Sequence, residues 1–517
     1  MLRPRMPSAV NHHKRLALLF LCLFVVAAAA GCQVVGGPQI LPASFPGLKV
    51  GPFTVVSPSQ VAPQAKAQAV TQAYTAKLQF TPAKAEVGQT VEVSGSGYPA
   101  GAQVELVWYT VKGRYELQGG TEFVGQRYDE VSQVVAKVQA DQSGAISTKL
   151  QVPLDYGGAH DVRGRVAGKE LSQASLTISP TFSMSTAQGP VGTLIELKIV
   201  GVDSRTNVNT WHVLYDNHYL GFMSAVTTKG VAVARIRAAG AVGTHMISIW
   251  HNSFNPIPYL NYRQGPYKDT PVKEFAFQLT PGPLAAGPTV EDFSASDNPA
   301  PTKADGAGKL ALSRDRGTVG QPTTVRGSGL PANTTLKIDW TTMVGNRVSA
   351  IGFSEETRDL GTVKTGADGT FTLDMTIPDD LGGQHKVEVL SGDQVLASTG
   401  LVIEPSVVSI SPTVVKAGDH VTIHLKGVGW TTIDNTYAVT YDDSYIGYVC
   451  GFSTNGDVQF TVTATGAPGT HLIDLYPTIY KGSDPLPRVY SVPQLTYAQD
   501  HPQRITPAIR LSIEITD

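Results

Sequence analysis

Three kinds of side chain in this sequence come close enough together to suggest chemistry. The first is histidine: His212, His218, His245 and His251 fall within 40 residues. On neighbouring hairpins such residues could converge on a metal, but a zinc site needs three or four ligands at fixed geometry. The positions matching them further along the chain are Ala438, Ser444, His471 and Pro477. Only one ligand recurs, so His245 and His471 are read as partners of strand or loop hydrogen bonds, and no metal or other cofactor is assigned. The second is an aromatic hairpin that occurs twice, WHVLYDNHYLGF (211–222) and YAVTYDDSYIGY (437–448). Its Tyr-Asp-Asn and Tyr-Asp-Asp centres suit tight turns, because Asn and Asp tolerate the left-handed region. Tyr215, Asp216, His218, Tyr219 and Trp250, with Tyr441, Asp442, Tyr445 and Tyr476 in the second copy, could stack on a sugar or grip a peptide. The same residues could equally be core and turn support. Asp442-Asp443 could bring Ca²⁺ ligands, but the first copy offers Asp216 alone. The third is Gly-x-Gly, at Gly95/Gly97 and Gly327/Gly329. A phosphate cradle needs a helix after the glycines, whereas another strand follows here, so tight turns are expected.

Catalysis finds little support. The sequence holds no H-E-x-x-H, G-x-S-x-G, P-loop or C-x-x-C. His160 and His385 recur, as do Asp216 and Asp442, but an acid and a base still need a nucleophile and a pocket.

The elements that position these residues come in repeats. VGQTVEVSGSGYPAGAQVELVW (87–108) matches VGQPTTVRGSGLPANTTLKIDW (319–340) at ten of 22 positions. PLDYGGAHDV (153–162) meets PDDLGGQHKV (378–387), and AVGTHMISIW (241–250) meets APGTHLIDLY (467–476). The chain is therefore two similar halves, each long enough for two domains. Val104, Leu106 and Trp108 alternate with polar neighbours, as do Leu336, Ile338 and Trp340, with the period of two of half-buried strands. No amphipathic helix is evident. Gly and Pro number 52 and 34 of 517 residues, which fits turn-dense β structure and not a doubly wound α/β enzyme. The expectation is an all-β chain of tandem β-sandwiches, which the resemblance given below implies are immunoglobulin-like, in two duplicated halves of two modules each, at 78–178, 179–280, 308–404 and 405–517. Residues 32–77 read as a tether and 281–307 as a linker, both rich in Pro and Ala.

The pattern V-G-x-x-V-x-V-x-G-x-G, then Pro-Ala and a strand ending in Trp, resembles bacterial extracellular immunoglobulin-like modules, the later ones similar to the IPT/TIG subclass. The resemblance implies spacer, adhesive or enzyme-companion roles and does not choose among them. At the N-terminus, Arg3, Arg5, Lys14 and Arg15 precede an apolar run from Leu16 to Ala30, and Ala29-Ala30-Gly31-Cys32 resembles a bacterial lipobox. That implies a signal peptide over 1–31, acylation of Cys32 and anchorage in a membrane through lipid, on the outer membrane or cell surface. Cys22 would leave with the signal, so Cys450 lacks a disulfide partner and reads as a buried core thiol.

The formal charge is −2, and removing residues 1–31 takes away four basic groups and no acid, so nucleic acid is not an expected partner. The reading is a lipid-anchored envelope protein that binds polysaccharide or another surface protein, or serves as a spacer. An envelope polymer hydrolase and a purely mechanical spacer without a ligand are the alternatives.

Overall fold

The computed structural model describes residues 74–205, 209–251, 273–291, 308–346, 352–451, 453–480, 489–490, 492–502 and 506–517. The expected signal peptide, Cys32 and nearly all of the expected tether lie outside them. Within them the protein is all-β and consists of tandem immunoglobulin-like β-sandwiches. Each sandwich faces a three-stranded sheet against a five-stranded one.

The same plan occurs four times. In the first sandwich, Lys77–Thr81, Thr90–Ser96 and Ile146–Gln151 form the small sheet. Lys84–Glu86, Lys169–Ser179, Gly158–Val166, Gln103–Gln118 and Glu122–Gln139 form the large one, in that spatial order. In the fourth, Ser406–Ser411, His420–Lys426 and Val458–Thr463 face Val414–Lys416, Ile509–Thr516, Gly469–Pro477, Thr436–Tyr441 and Ser444–Cys450. In every copy the short second strand crosses to the large sheet and pairs parallel with the last strand, while the other ladders are antiparallel. Crossing between sheets closes each sandwich along one side.

Alternation builds the cores. Val91 and Val93 from one sheet meet Leu106 and Trp108 from the other, each 1% exposed or less. The third sandwich repeats this with Val325, Leu336, Ile338 and Trp340. Each Gly-x-Gly pair divides its labour. Gly97 (φ 85°) and Gly329 (φ 66°) turn in the left-handed region, as expected. Gly95 and Gly327 instead lie in strands where a Cβ would run into the Lys77 carbonyl or the Phe371 ring.

A buried carboxylate anchors the core tryptophan of the first and third sandwiches. Trp108 Nε1 donates to Asp155 at 2.7 Å, and Trp340 Nε1 donates to Asp380 at 2.7 Å. Asp380 also accepts from Thr342 Oγ1 at 2.6 Å and from the Leu381 amide at 2.9 Å. Trp108 stacks on His160 and Trp340 on His385, with centroids 4.6 and 4.5 Å apart. His385 bonds the Thr341 and Leu381 carbonyl oxygens at 3.0 and 2.7 Å.

Two segments read as connectors are partly built into the fold. The first strand begins at Lys77, and Ala76 before it is buried and donates to the Leu171 carbonyl. Residues 281–291 of the expected linker run along the second and fourth sandwiches. Ala285 donates to Val191 O, Arg510 to Thr289 O and Glu291 to Ala508 O. Composition pointed to a free linker, but the backbone groups of this stretch found partners on two neighbours.

Asp380→Ala strips Trp340 Nε1 and Thr342 Oγ1 of their acceptor inside a closed core. The expected cost is about 2–4 kcal/mol of stability, seen as a lower urea midpoint. Asp368→Ala, in an exposed turn, should shift it far less. Equal midpoints for the two variants would refute the anchoring role of Asp380.

Candidate functional site

The two aromatic hairpins have the same internal construction. Strands Thr210–Tyr215 and His218–Ser224 join through Asp216-Asn217, with φ of 48° and 67°. Thr436–Tyr441 and Ser444–Cys450 join through Asp442-Asp443, with φ of 45° and 60°. In each, the first turn carboxylate reaches back to the neighbouring strand. Asp216 accepts from the Met246 amide at 2.8 Å and bonds His245 Nδ1 at 2.5 Å. Asp442 accepts from the Leu472 amide at 2.9 Å and bonds His471 Nδ1 at 2.5 Å. Nε2 of each ring faces a loop carbonyl, Ala241 O or Ala467 O. The bond to Asp442 holds the His471 imidazole above its ordinary pKa. Tyr215 and Tyr441 are buried beneath these rings, and their hydroxyls donate to Ala239 O and Thr465 O.

The first-half histidines go separate ways. His245 is held in the turn, His212 Nδ1 lies 3.3 Å from the Tyr219 hydroxyl, His251 packs on Trp211 and His218 stands exposed. Among the described residues no three His, Cys, Asp or Glu side chains gather as a metal site would require.

The two hairpins meet each other. The Tyr219 and Tyr445 rings contact edge to face, centroids 6.4 Å apart at 87°. Burial raises the pKa of both hydroxyls. Trp250 is half-buried in the strand beside His212, and Tyr476 is fully buried with the Arg510 guanidinium 4.6 Å above its ring. The nine residues singled out in the sequence are thus distributed between two cores, two turns and the seam where the second and fourth sandwiches join. Cys450 is half-buried at the end of its strand.

The side chains at the centre of that seam were not singled out. Arg237 of the second sandwich pairs through two guanidinium nitrogens, Nε and Nη2, with Asp474 of the fourth, Nε lying 3.1 Å from Oδ2. It also donates to Leu511 O at 2.6 Å. Arg510 donates to Asp474 at 2.9 Å, to Glu291 at 3.1 Å and to Arg235 O at 3.1 Å. Tyr497 donates to Glu291. The side chains of Arg237, Asp474 and Arg510 are 10%, 2% and 5% exposed. Asp443 is also buried, with Oδ2 unpartnered, and burial beside Asp474 and Asp442 raises its carboxyl pKa. The available signal was charge inside apolar strands: Asp474 alone in LIDLY, Arg510 alone in IRLSI, and Arg237 beside Arg235 in VAVARIR.

Two further joints surround the network. Asp500 accepts from the Val226 and Thr227 amides at 2.8 and 2.7 Å, and from the Tyr115 hydroxyl of the first sandwich at 3.0 Å. The hairpin Gln103–Gln118/Glu122–Gln139 extends to the fourth sandwich. There Phe123 N donates to Thr432 Oγ1 at 2.6 Å, and Phe123 packs with Ile433 and Ile479. Between the third and fourth sandwiches, Asp434 is buried in a small cavity with Gly383, Gly429 and Thr506. Thr431 donates to its carboxylate from N and Oγ1, at 2.7 and 2.6 Å, yet burial prevails and lifts its pKa to about 7.

No family model matches the chain, and neither does any curated protein. Several solved structures show a distant likeness. A Corynebacterium diphtheriae protein described as membrane anchored is 11% identical, spans 64% of this chain and 91% of its own, and has a TM-score of 0.17. The N-terminal eight Ig domains of Down syndrome cell adhesion molecule are 11% identical, over 86% of this chain and 48% of that one, with a TM-score of 0.16. The Bacillus subtilis sporulation control protein Spo0M is 9% identical, over 40% and 90%, with a TM-score of 0.15. At these values the likeness says nothing about function, and the fold assignment rests on the sheets themselves.

Two outcomes follow from the buried charges. Asp474→Ala leaves two guanidinium groups short of their shared carboxylate and should cost about 3–5 kcal/mol, read by urea denaturation. An exposed pair such as Lys149–Glu92 should matter little when broken. Asp434 binds its proton more tightly folded than unfolded, so its contribution falls as pH rises from about 4 towards 7, by on the order of 4 kcal/mol in total. Asp434→Asn should flatten that slope. An identical pH profile in the variant would show that another group titrates.

Proposed function

We propose that this chain is a lipid-anchored bacterial envelope protein, its IPT/TIG-like modules braced into a binding and structural platform. The observation that carries the reading is the seam. Buried charges, paired aromatics and an arm from the first sandwich join modules that are distant in sequence. A string of independent spacers has no use for ion pairs buried between its beads, whereas a platform that must hold binding surfaces in fixed relation does. The N-terminal basic and apolar run ending at Cys32 supports export and acylation. The ligand class favoured is envelope polysaccharide or another surface protein, met through exposed sheet edges and loops.

Fractionation of cells carrying the wild type or Cys32→Ser tests the anchor. The wild type should sediment with membranes and the variant should be released. Retention of Cys32→Ser in the membrane fraction would sink the lipid assignment. Crosslinking the full chain in intact envelopes should recover a defined polymer or protein, and recovery of nothing above a bystander control would leave only a mechanical role.

A further inference from the structure

Each sandwich places one strand at the outer margin of its three-stranded sheet: Ile146–Gln151, Val231–Arg237, Phe371–Thr376 and Val458–Thr463. A strand in that place offers N–H and C=O groups to any other strand, and proteins commonly blunt it with a charge. Three of the four do so at one matching position. Lys149 pairs with Glu92 at 3.4 Å, Arg235 pairs with Glu196 at 3.6 Å, and Asp374 accepts from Thr324 Oγ1 at 2.8 Å. The margin of the second sandwich is also capped, because Arg510 of the fourth donates to Arg235 O. In the fourth sandwich the matching residue is Thr461, its Oγ1 3.4 Å from Thr422 Oγ1. That strand reads VQFTVT, with no charge, Pro or Gly. Among the described residues it pairs with His420–Lys426 alone.

The ladder fixes where its backbone groups point. Ala464, just beyond the strand, donates to Asp419 O. Antiparallel pairs alternate between bonded and non-bonded, so Gln459, Thr461 and Thr463 turn N–H and C=O away from His420–Lys426. All three are exposed, whereas Val458 and Val462 are buried and Phe460 packs against the core. A two-fold axis brings this edge against itself only where outward groups meet outward groups. Centred on Thr461, it sets Gln459 against Thr463 of the partner subunit, Thr461 against its own counterpart, and Phe460 beside Val462 of the partner subunit. Every outward N–H and C=O of the three residues then finds a partner. Polar side chains face polar ones, apolar face apolar, and no charge is brought into the contact. We propose that Val458–Thr463 is a self-association edge, which joins antiparallel to the same strand of a second copy of this chain. Two strands of this length bury less than the roughly 1,600 Å² of an ordinary stable interface, so the pairing is weak and grows with concentration. This goes beyond the proposed function, because it concerns association between copies and not the ligand they bind.

The test oxidises the full chain carrying Thr461→Cys over a series of concentrations. The expected product is a reducible dimer that links position 461 of one copy to position 461 of the other, since bonded antiparallel pairs hold their Cα atoms about 5.5 Å apart. Thr422→Cys, one strand further in, is the control, and the unsubstituted chain sets the baseline from Cys450. Adding Gln459→Lys with Thr463→Lys should lower the yield roughly five-fold or more, because like charges then face each other. Gln459→Lys with Thr463→Asp should restore it, which separates lost pairing from lost folding. A yield no higher than from Thr422→Cys overturns the proposal. So do links to another position or another protein, a yield indifferent to the paired lysines, or a failure of the opposite charge to restore it.

Discussion

Charge burial between the second and fourth sandwiches constrains everything around it. Arg237, Asp474, Arg510 and Glu291 bring two cations and two anions into a space almost without water. Removing each from solvent costs several kcal/mol, and only close pairing offsets it. The pairing therefore fixes where the two sandwiches sit, since a small slip would leave a charge buried without its partner. An apolar seam of similar area would tolerate such a slip. Asp443 follows the same logic: burial, reinforced by the neighbouring Asp474 and Asp442 carboxylates, holds its carboxyl towards the neutral acid.

From that seam the other joints acquire their logic. The segment 492–500 leaves the fourth sandwich, lies along the second and ends at Asp500, whose carboxylate takes two backbone amides of the second sandwich and the Tyr115 hydroxyl of the first. Tyr115 lies on the long hairpin whose tip returns to Thr432. The path from first to second to fourth and back to first is closed by hydrogen bonds between residues as much as 385 positions apart. A linear reading of tandem modules does not suggest such closure.

The sequence made the sandwiches legible because their determinants are local. Alternation at Val104, Leu106 and Trp108 needs only the strand's period of two, and Gly97 needs only its own φ. The turn role of Asp216 and Asp442 followed from residue type, as did the hydrogen-bonding role of His245 and His471. The seam was not legible, because its meaning is pairwise and distant. Tyr219 read alone is an aromatic at a hairpin, equally suited to a sugar or to a core, and only the position of Tyr445 decides what it faces. Arg237 and Asp474 each look like an ordinary strand charge until they are placed together, 237 residues apart. The duplication that revealed the fold also obscured this, since matching positions in two halves read as repeated structure and not as two sides of one contact.

Divergence between the copies marks where one half has work that the other lacks. Asp203 in the second sandwich lies against Gly158 and pairs with Arg205, near solvent. At the corresponding joint in the second half, Asp434 lies against Gly383 and accepts from Thr431, and burial makes it a poor anion. Asp203 is thus paired with a guanidinium of its own loop, whereas Asp434 is held by the amide and hydroxyl of Thr431 and burial raises its pKa to about 7. The Asp434 carboxyl therefore favours the folded state more strongly as the medium acidifies through the range where it titrates. One half thus carries a pH-dependent contribution to stability at the place where the other carries a carboxylate paired with arginine.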